Sequence, residues 1–174
     1  DDSNGLFKAA TTTTRSGRDT NNLFLFDENM QALGSVRDFA KDEHIEAVRY
    51  IKDKAYIITY EQTDPLFIID LADPEEPDII GHVKISGFST LLVPAADEYL
   101  LGLGFSTQTN ELGEATDGVK LALFDISDAA QPAVSDSKEF EGMESEVQYN
   151  HKALLVGPGG DYYAIPYETW TYNV

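Results

Sequence analysis

Three stretches of this chain repeat one pattern: LFLFDENMQALGSV (23–36), LFIIDLADPEEPDIIGHV (66–83) and LALFDISDAAQPAVSDSKEF (121–140). Each runs an apolar strand into an aspartate, then a turn, then another strand. The aspartates, Asp27, Asp70 and Asp125, are spaced by 43 and 55 positions, and the excess of 12 matches the polar segment STQTNELGEATD (106–117). With that segment treated as an insertion, the period is restored.

A second set of segments interleaves with the first: EAVRYIKDKAYIITY (46–60), STLLVPAADEYLLGLGF (89–105) and KALLVGPGGDYYAIPY (152–167). An apolar strand, a turn of Gly, Pro or Asp, and a second apolar strand make each a hairpin. Val48 and Tyr56, Leu91 and Tyr99, and Leu154 and Tyr162 are each eight apart, so the hairpins are expected to superpose without gaps.

Two hairpins per period of about 43 residues make four strands, the size of one β-propeller blade. A lone blade cannot cover both of its faces, so blades stack. That explains why YIITY and LFIID are nearly continuous apolar runs rather than alternating ones. The expected fold is therefore all-β, with blades of four antiparallel strands at approximately 5–41, 46–85, 89–140 and 151–174. The count is about three and a half blades in one propeller domain or part of one. Propellers close with four to eight blades. Either the chain closes as a small ring with its terminal strands sharing a blade, or it is part of a larger propeller, which the count favours. An incomplete ring exposes sheet edges and an apolar blade face, and a homodimer through them is the expected consequence.

Composition narrows the partners. The 174 residues include 31 Asp plus Glu against 12 Lys plus Arg, a formal charge of -19 that repels nucleic acid and anionic lipid. There are no cysteines, which removes disulfides, thiolate nucleophiles and Cys-ligated zinc. No apolar run is long enough to span a bilayer as a helix, and the start DDSNG has neither the basic head nor the apolar stretch of a signal peptide.

The segments GLFKAATT, 46–104, GVKLALFDISDAAQP, NHKALLV and YYAIPY resemble the secreted β-propeller domain proteins of bacteria and archaea that carry a C-terminal propeller. The resemblance runs from Gly5 to about Tyr167 and is most specific between Val48 and Gly104. The DPxxP turn at Asp73 and Pro77 also resembles LVIVD-type propeller repeats. The resemblance implies an extracytoplasmic location and no established enzymatic activity.

Asp27, Asp70 and Asp125 are expected to cap their turns by accepting backbone N–H groups, with Pro74 and Pro132 fixing the exit. The pairs Asp70/Asp73 and Asp125/Asp128 lack the glycine and terminal glutamate of a dedicated calcium loop. His44, His82 and His151 form no zinc motif. His151 aligns with Ile45 and Phe88, just before a blade's first strand, where an inter-blade hydrogen bond or a ligand contact is expected. Ser89 and Ser106 lack the closing glycine of a nucleophile elbow. Gly102 and Gly104 read as strand glycines allowing close packing.

The insertion 106–117 reads as a polar loop whose Asn110, Glu111, Glu114 and Asp117 offer oxygens for a weak Ca2+ site. Trp170, with Tyr167 and Tyr172, is a candidate aromatic platform for a ligand. These features point to a non-catalytic binding or scaffold module outside the cytoplasm, recognising a protein, peptide or polysaccharide, with no cofactor required. The alternative is a carbohydrate-active hydrolase or lyase with a carboxylate-lined funnel.

Overall fold

The computed structural model describes residues 5–60, 64–110 and 113–169, and these fold into antiparallel sheets with no α-helix among them. Blade I contains β1 (Phe7–Arg15), β2 (Arg18–Phe26) and β3 (Ala32–Phe39). Blade II contains β4 (His44–Ile51), β5 (Lys54–Tyr60), β6 (Asp64–Asp70) and β7 (Asp78–Ile85) in sequence order. Blade III repeats that order with β8 (Phe88–Pro94), β9 (Tyr99–Asn110), β10 (Gly113–Asp125) and β11 (Ala133–Glu141). Each is an up-and-down meander.

Hydrogen-bond register shows that the blades are copies of one another. The ladder slips by one residue between Leu25 and Phe26, between Ile68 and Ile69, and between Leu123 and Phe124. Every slip therefore falls two residues before the repeat aspartate, a bulge that turns the strand into its corner. By this register β1, β2 and β3 match the last three strands of a blade, so blade I has no first strand among the described residues.

The corner aspartates do what their position suggests. Asp27 Oδ1 accepts from the N–H of Asn29 at 2.9 Å and of Gln31 at 2.8 Å. Asp70 and Asp73 accept from Ala72 and Glu75, and Asp125 and Asp128 accept from Ser127 and Ala130, each at 3.0 Å. These carboxylates are committed to their own turns.

Two apolar cores lie between blades. Leu23, Leu25 and Phe39 of blade I pack on Ala55, Ile57 and Ile69 of blade II. The opposite face of blade II, with Tyr56, Ile58, Leu66 and Ile68, packs on Leu92, Leu100, Ala122 and Phe124 of blade III. Each blade thus has a front face for the next blade and a back face for the previous one. This is why β5, KAYIITY, is buried along almost its whole length.

A second contact locks the stacking. A Cβ on Gly34 of β3 would lie 2.4 Å from Pro74 O and 2.6 Å from Pro77 Cδ of blade II. A Cβ on Gly81 of β7 would lie 2.1 Å from Ala129 O and 2.9 Å from Pro132 Cδ of blade III. The corner turn of one blade therefore seats on a glycine of the blade before it, where no larger residue fits. Pro77 and Pro132 are the equivalent prolines, and each also sets the turn's exit.

Several expectations need correction. The hairpins do not superpose residue for residue: Val48 pairs with Ile57 but Leu91 with Leu103. After Pro94 the second hairpin needs a longer turn, closed by the Ala95 N–H to Tyr99 O at 2.9 Å. The insertion 106–117 is not a loop between strands but a ribbon that extends the β9–β10 hairpin, with Thr107 opposite Thr116 and Asn110 opposite Gly113. Its alternating threonines suit an extended strand. Gly102 and Gly104 are crowded by Ser89 and Phe88 of β8, so the close packing they allow lies chiefly within their own sheet.

The hairpin read at 152–167 reduces to two-residue strands, β13 (Leu155–Val156) with β14 (Tyr163–Ala164). It is enclosed by β12 (Met143–Glu144) pairing with β15 (Glu168–Thr169). Gly159 and Gly160, at φ of 86° and 74°, and the prolines at 158 and 166 keep the ladder short.

Replacing Gly81 with Ala forces its Cβ against a backbone carbonyl, so Gly81→Ala should lose about 1–3 kcal/mol of stability. Urea denaturation checks this, and an unchanged midpoint would contradict the glycine seat.

Candidate functional site

Blade III and the segment after it build a cleft of about 340 Å³, bounded by Phe105, Thr116, Asp117, Gly142, Glu144 and Tyr149 among others. Its floor is set by a register shift between Thr116 and Gly118 in the β9–β10 ladder. Gln148 fills the gap. Its Nε2 donates to Gly104 O at 3.2 Å and Gly118 O at 3.1 Å, and its Oε1 accepts the Ser145 N–H at 2.8 Å.

Ser145 and Gln148 make a reciprocal capping box around the 3-10 turn Glu146–Gln148. Thr90 Oγ1 donates to Gln148 O at 2.8 Å, and Ser145 Oγ donates to Pro166 O, so the turn is tied to two other parts of the chain. Both side chains of the box are buried. The residue immediately after this anchored turn, Tyr149, is 79% exposed.

Tyr149 ends a row of four rings. It stands edge-on to Phe105 with centroids 5.4 Å apart, Phe105 stacks on Phe88 at 4.9 Å, and Phe88 meets Tyr60 at 4.2 Å. The row crosses from the end of β5 to the segment beyond β11. Aromatic faces of this kind bind sugar rings, apolar side chains or cations. Asp117 and Glu144 supply acceptors at the wall, with Asp117 also accepting from Gln108 Nε2. A second depression, lined by Glu144, Tyr149, Pro166 and Tyr167, shares Tyr149 as its dividing ridge.

Shifted ionisations occur elsewhere. Burial pushes the Glu46 carboxyl on β4 above its usual range, against a smaller opposing pull from His44. Burial raises the Tyr50 hydroxyl to about 12, with the Lys8 ammonium 5.5 Å from its ring centroid. A hydrogen bond to Lys54 holds Asp53 below its usual range, and Ser127 does the same for Asp125.

The candidate residues from the sequence are dispersed. Asp117 lines the cleft. Asn110 ends β9 and Glu114 lies in β10 one residue past Gly113, both at the tip of the ribbon, and their side chains lie outside the described part. Glu111 and Trp170 fall outside the described residues. His151 does not precede a blade strand. It opens an exposed 3-10 turn (His151–Ala153) capped by Asn150, which accepts the Lys152 N–H at 3.1 Å, and among the described residues its ring makes no hydrogen bond to a blade. Among the described residues no three His, Asp or Glu converge as they would to hold a metal.

Phe105, Glu144, Gln148 and Tyr149 were not singled out from the sequence. The one legible signal was Ser145 with Gln148 three residues later, a capping-box spacing. The ring row joins residues up to 89 positions apart, which no local pattern reveals.

Repeated four-stranded meanders stacked face to face define a protein of the β-propeller class. The sequence profile of the beta propeller domain family matches residues 1–173, and the chain belongs to that family. It is 40% identical over 156 residues to an uncharacterized protein of Archaeoglobus fulgidus, covering 90% of this chain and 23% of that protein. It is 38% identical over 159 residues to an uncharacterized protein of Methanocaldococcus jannaschii, covering 89% and 24%. The chain thus spans about a quarter of the length of these relatives.

Because burial raises the Glu46 pKa in the fold, folding favours its protonated form. Its contribution is fully present below the unfolded carboxylate value and is lost as pH rises through the folded value. Glu46→Gln should therefore raise Tm at neutral pH, with the gain shrinking as pH falls through the raised folded value and gone below about pH 4. Thermal melts across that range check the sign.

Proposed function

We propose that this propeller segment is a non-catalytic binding module acting outside the cytoplasm, and that its ligand is a basic, extended peptide of a partner protein. One observation carries the reading: the row Tyr60, Phe88, Phe105 and Tyr149 leads into a cleft walled by Asp117 and Glu144. Aromatic faces beside carboxylates suit lysine and arginine side chains, whose stems pack and whose charges are paired. The formal charge of -19 steers cations toward the chain and repels anions.

A polysaccharide is the second reading, favoured by the offset stack of Phe88 and Phe105 at an interplanar angle of 25°. Sugar hydroxyls would then donate to Asp117 and Glu144. The hydrolase or lyase alternative needs paired carboxylates with separated ionisation. Glu46, the one carboxylate raised by burial among the described residues, lies on β4 and does not line the cleft.

Of the weak Ca2+ site read at Asn110, Glu111, Glu114 and Asp117, the tip residues Asn110 and Glu114 have a different support, the ribbon hairpin that brings Asn110 opposite Gly113, whereas Asp117 lies at the base of the ribbon on the cleft. Calcium there would hold the ribbon tip and not take part in chemistry.

Calorimetric titration with a short Lys/Arg-containing peptide and with a neutral oligosaccharide separates the two ligands. The peptide should bind, more weakly as salt rises, and Tyr149→Ala should weaken it by about tenfold, the scale of one cation–π contact. Glu28→Gln, on an exposed turn far along the chain, should leave it unchanged. Equal affinity of wild type and Tyr149→Ala would refute the cleft as the site, and binding of the oligosaccharide alone would transfer the role to a polysaccharide.

A further inference from the structure

The turn between β8 and β9 is one residue longer than the turn between β4 and β5. In blade II, Ile51 pairs with Lys54 across Lys52 and Asp53. In blade III the equivalent of Lys54 is Tyr99, since Lys54 pairs with Asp70 and Tyr99 with Asp125. There the Ala95 N–H to Tyr99 O bond encloses Ala96, Asp97 and Glu98, with Ala96 at φ of 73°. Each turn is tied to the corner of its own blade, Asp53 O accepting from Leu71 N–H at 2.8 Å and Glu98 O from Ile126 N–H at 2.9 Å. Between the two turns lies a cleft of about 350 Å³, a size suited to a small molecule. It sits between two four-stranded blades, at the opposite end of β5 from Tyr60 and the aromatic row.

Tyr56 is its most buried lining residue. Its ring belongs to the core between blades II and III and the residue is only 4% exposed, yet its hydroxyl makes no hydrogen bond among the described residues. A buried hydroxyl left without a partner is costly, and the cleft that Tyr56 lines is where a partner can reach it. Burial holds this hydroxyl above its usual range, against a smaller opposing pull from Lys54, so it is a donor at neutral pH. Lys54 lies two residues earlier on the same face of β5 and is half-buried. Its ammonium donates to Asp53 at 3.1 Å and has further N–H groups to give.

The facing wall carries the other sign. Asp97 and Glu98 are exposed at the rim on blade III, and among the described residues neither is ion-paired to Lys52 or Lys54. Charges of both signs therefore face one cleft without bridging it. The Tyr56 ring, packed into the core, offers no face on which a sugar could stack.

We propose that this cleft binds a small zwitterion of the free amino-acid class, its carboxylate accepting from the Tyr56 hydroxyl and the Lys54 ammonium and its ammonium paired by Asp97 and Glu98. The ligand's aliphatic part lies against Ile51 and Pro94. Such a ligand joins blade II to blade III, so its binding also stabilises the fold.

Thermal melts with each of the common free L-amino acids at millimolar concentration, followed by calorimetric titration of those that raise Tm, test this site. At least one should bind. Its amide and its N-acetyl form, each lacking one of the two charges, should bind about tenfold more weakly or worse, the scale of one hydrogen bond to a charged group. Tyr56→Phe and Lys54→Met should each weaken binding by a similar factor, and Lys152→Met, on the exposed turn after blade III, should not. Lys54→Met, outside the core, carries the test if Tyr56→Phe loosens the packing. No binding by any of the amino acids, equal affinity for the amide and N-acetyl forms, or full affinity in Lys54→Met together with Tyr56→Phe would overturn the proposal.

Discussion

The structure depends on a blade having two apolar faces and too little chain to cover either. Each meander buries a face only against a neighbouring blade, and the cores between blades I and II and between blades II and III are the result. The glycines at 34 and 81 follow from the same constraint. They let the neighbouring corner approach to a distance at which a Cβ would overlap its carbonyl oxygen, so the faces meet in one register. Hydrophobic burial supplies the attraction, and the glycine seat chooses the alignment.

The repeat aspartates belong to that alignment more than to any chemistry. Each closes its corner by accepting backbone N–H groups, and the paired arrangement in blade II recurs in blade III atom for atom: Asp70 with Ala72 and Asp73 with Glu75, then Asp125 with Ser127 and Asp128 with Ala130. A corner fixed in this way carries its proline to the preceding blade's glycine. Acidic residues that look like ligands in the sequence are thereby spent on local backbone geometry. What remains for recognition is the opposite kind of feature: an irregular segment after blade III, pinned by Gln148 and Ser145, which presents Tyr149 beside Phe105.

Regular and irregular parts therefore divide the work. The blades give a rigid frame, and departures from the repeat supply the distinguishing features. The ribbon beyond Phe105 and the two-residue ladders after blade III both lie where the period fails. Rigid scaffolds with variable segments at their ends are well suited to binding, because strand cores can be kept while the ends change.

The all-β class, the blade size and the corner role of Asp27, Asp70 and Asp125 were legible in the sequence, because each rests on local periodicity and on hydrogen bonds spanning two to four residues. The role of Gly34 and Gly81 was not. A glycine in a strand reads the same whether it faces solvent or another blade's carbonyl, and only the stacked arrangement distinguishes them. The hairpin registers, the extension of the insertion as paired strands and the exposure of His151 likewise depended on which segments found partners. The row from Tyr60 to Tyr149 joins residues from four segments of the chain, and its existence follows from the tertiary packing that brings the end of β5, the start of β8 and the middle of β9 together beside the turn at Glu146–Gln148. Sequence alone determined what each segment would be; contact between distant segments decided which side chains would meet.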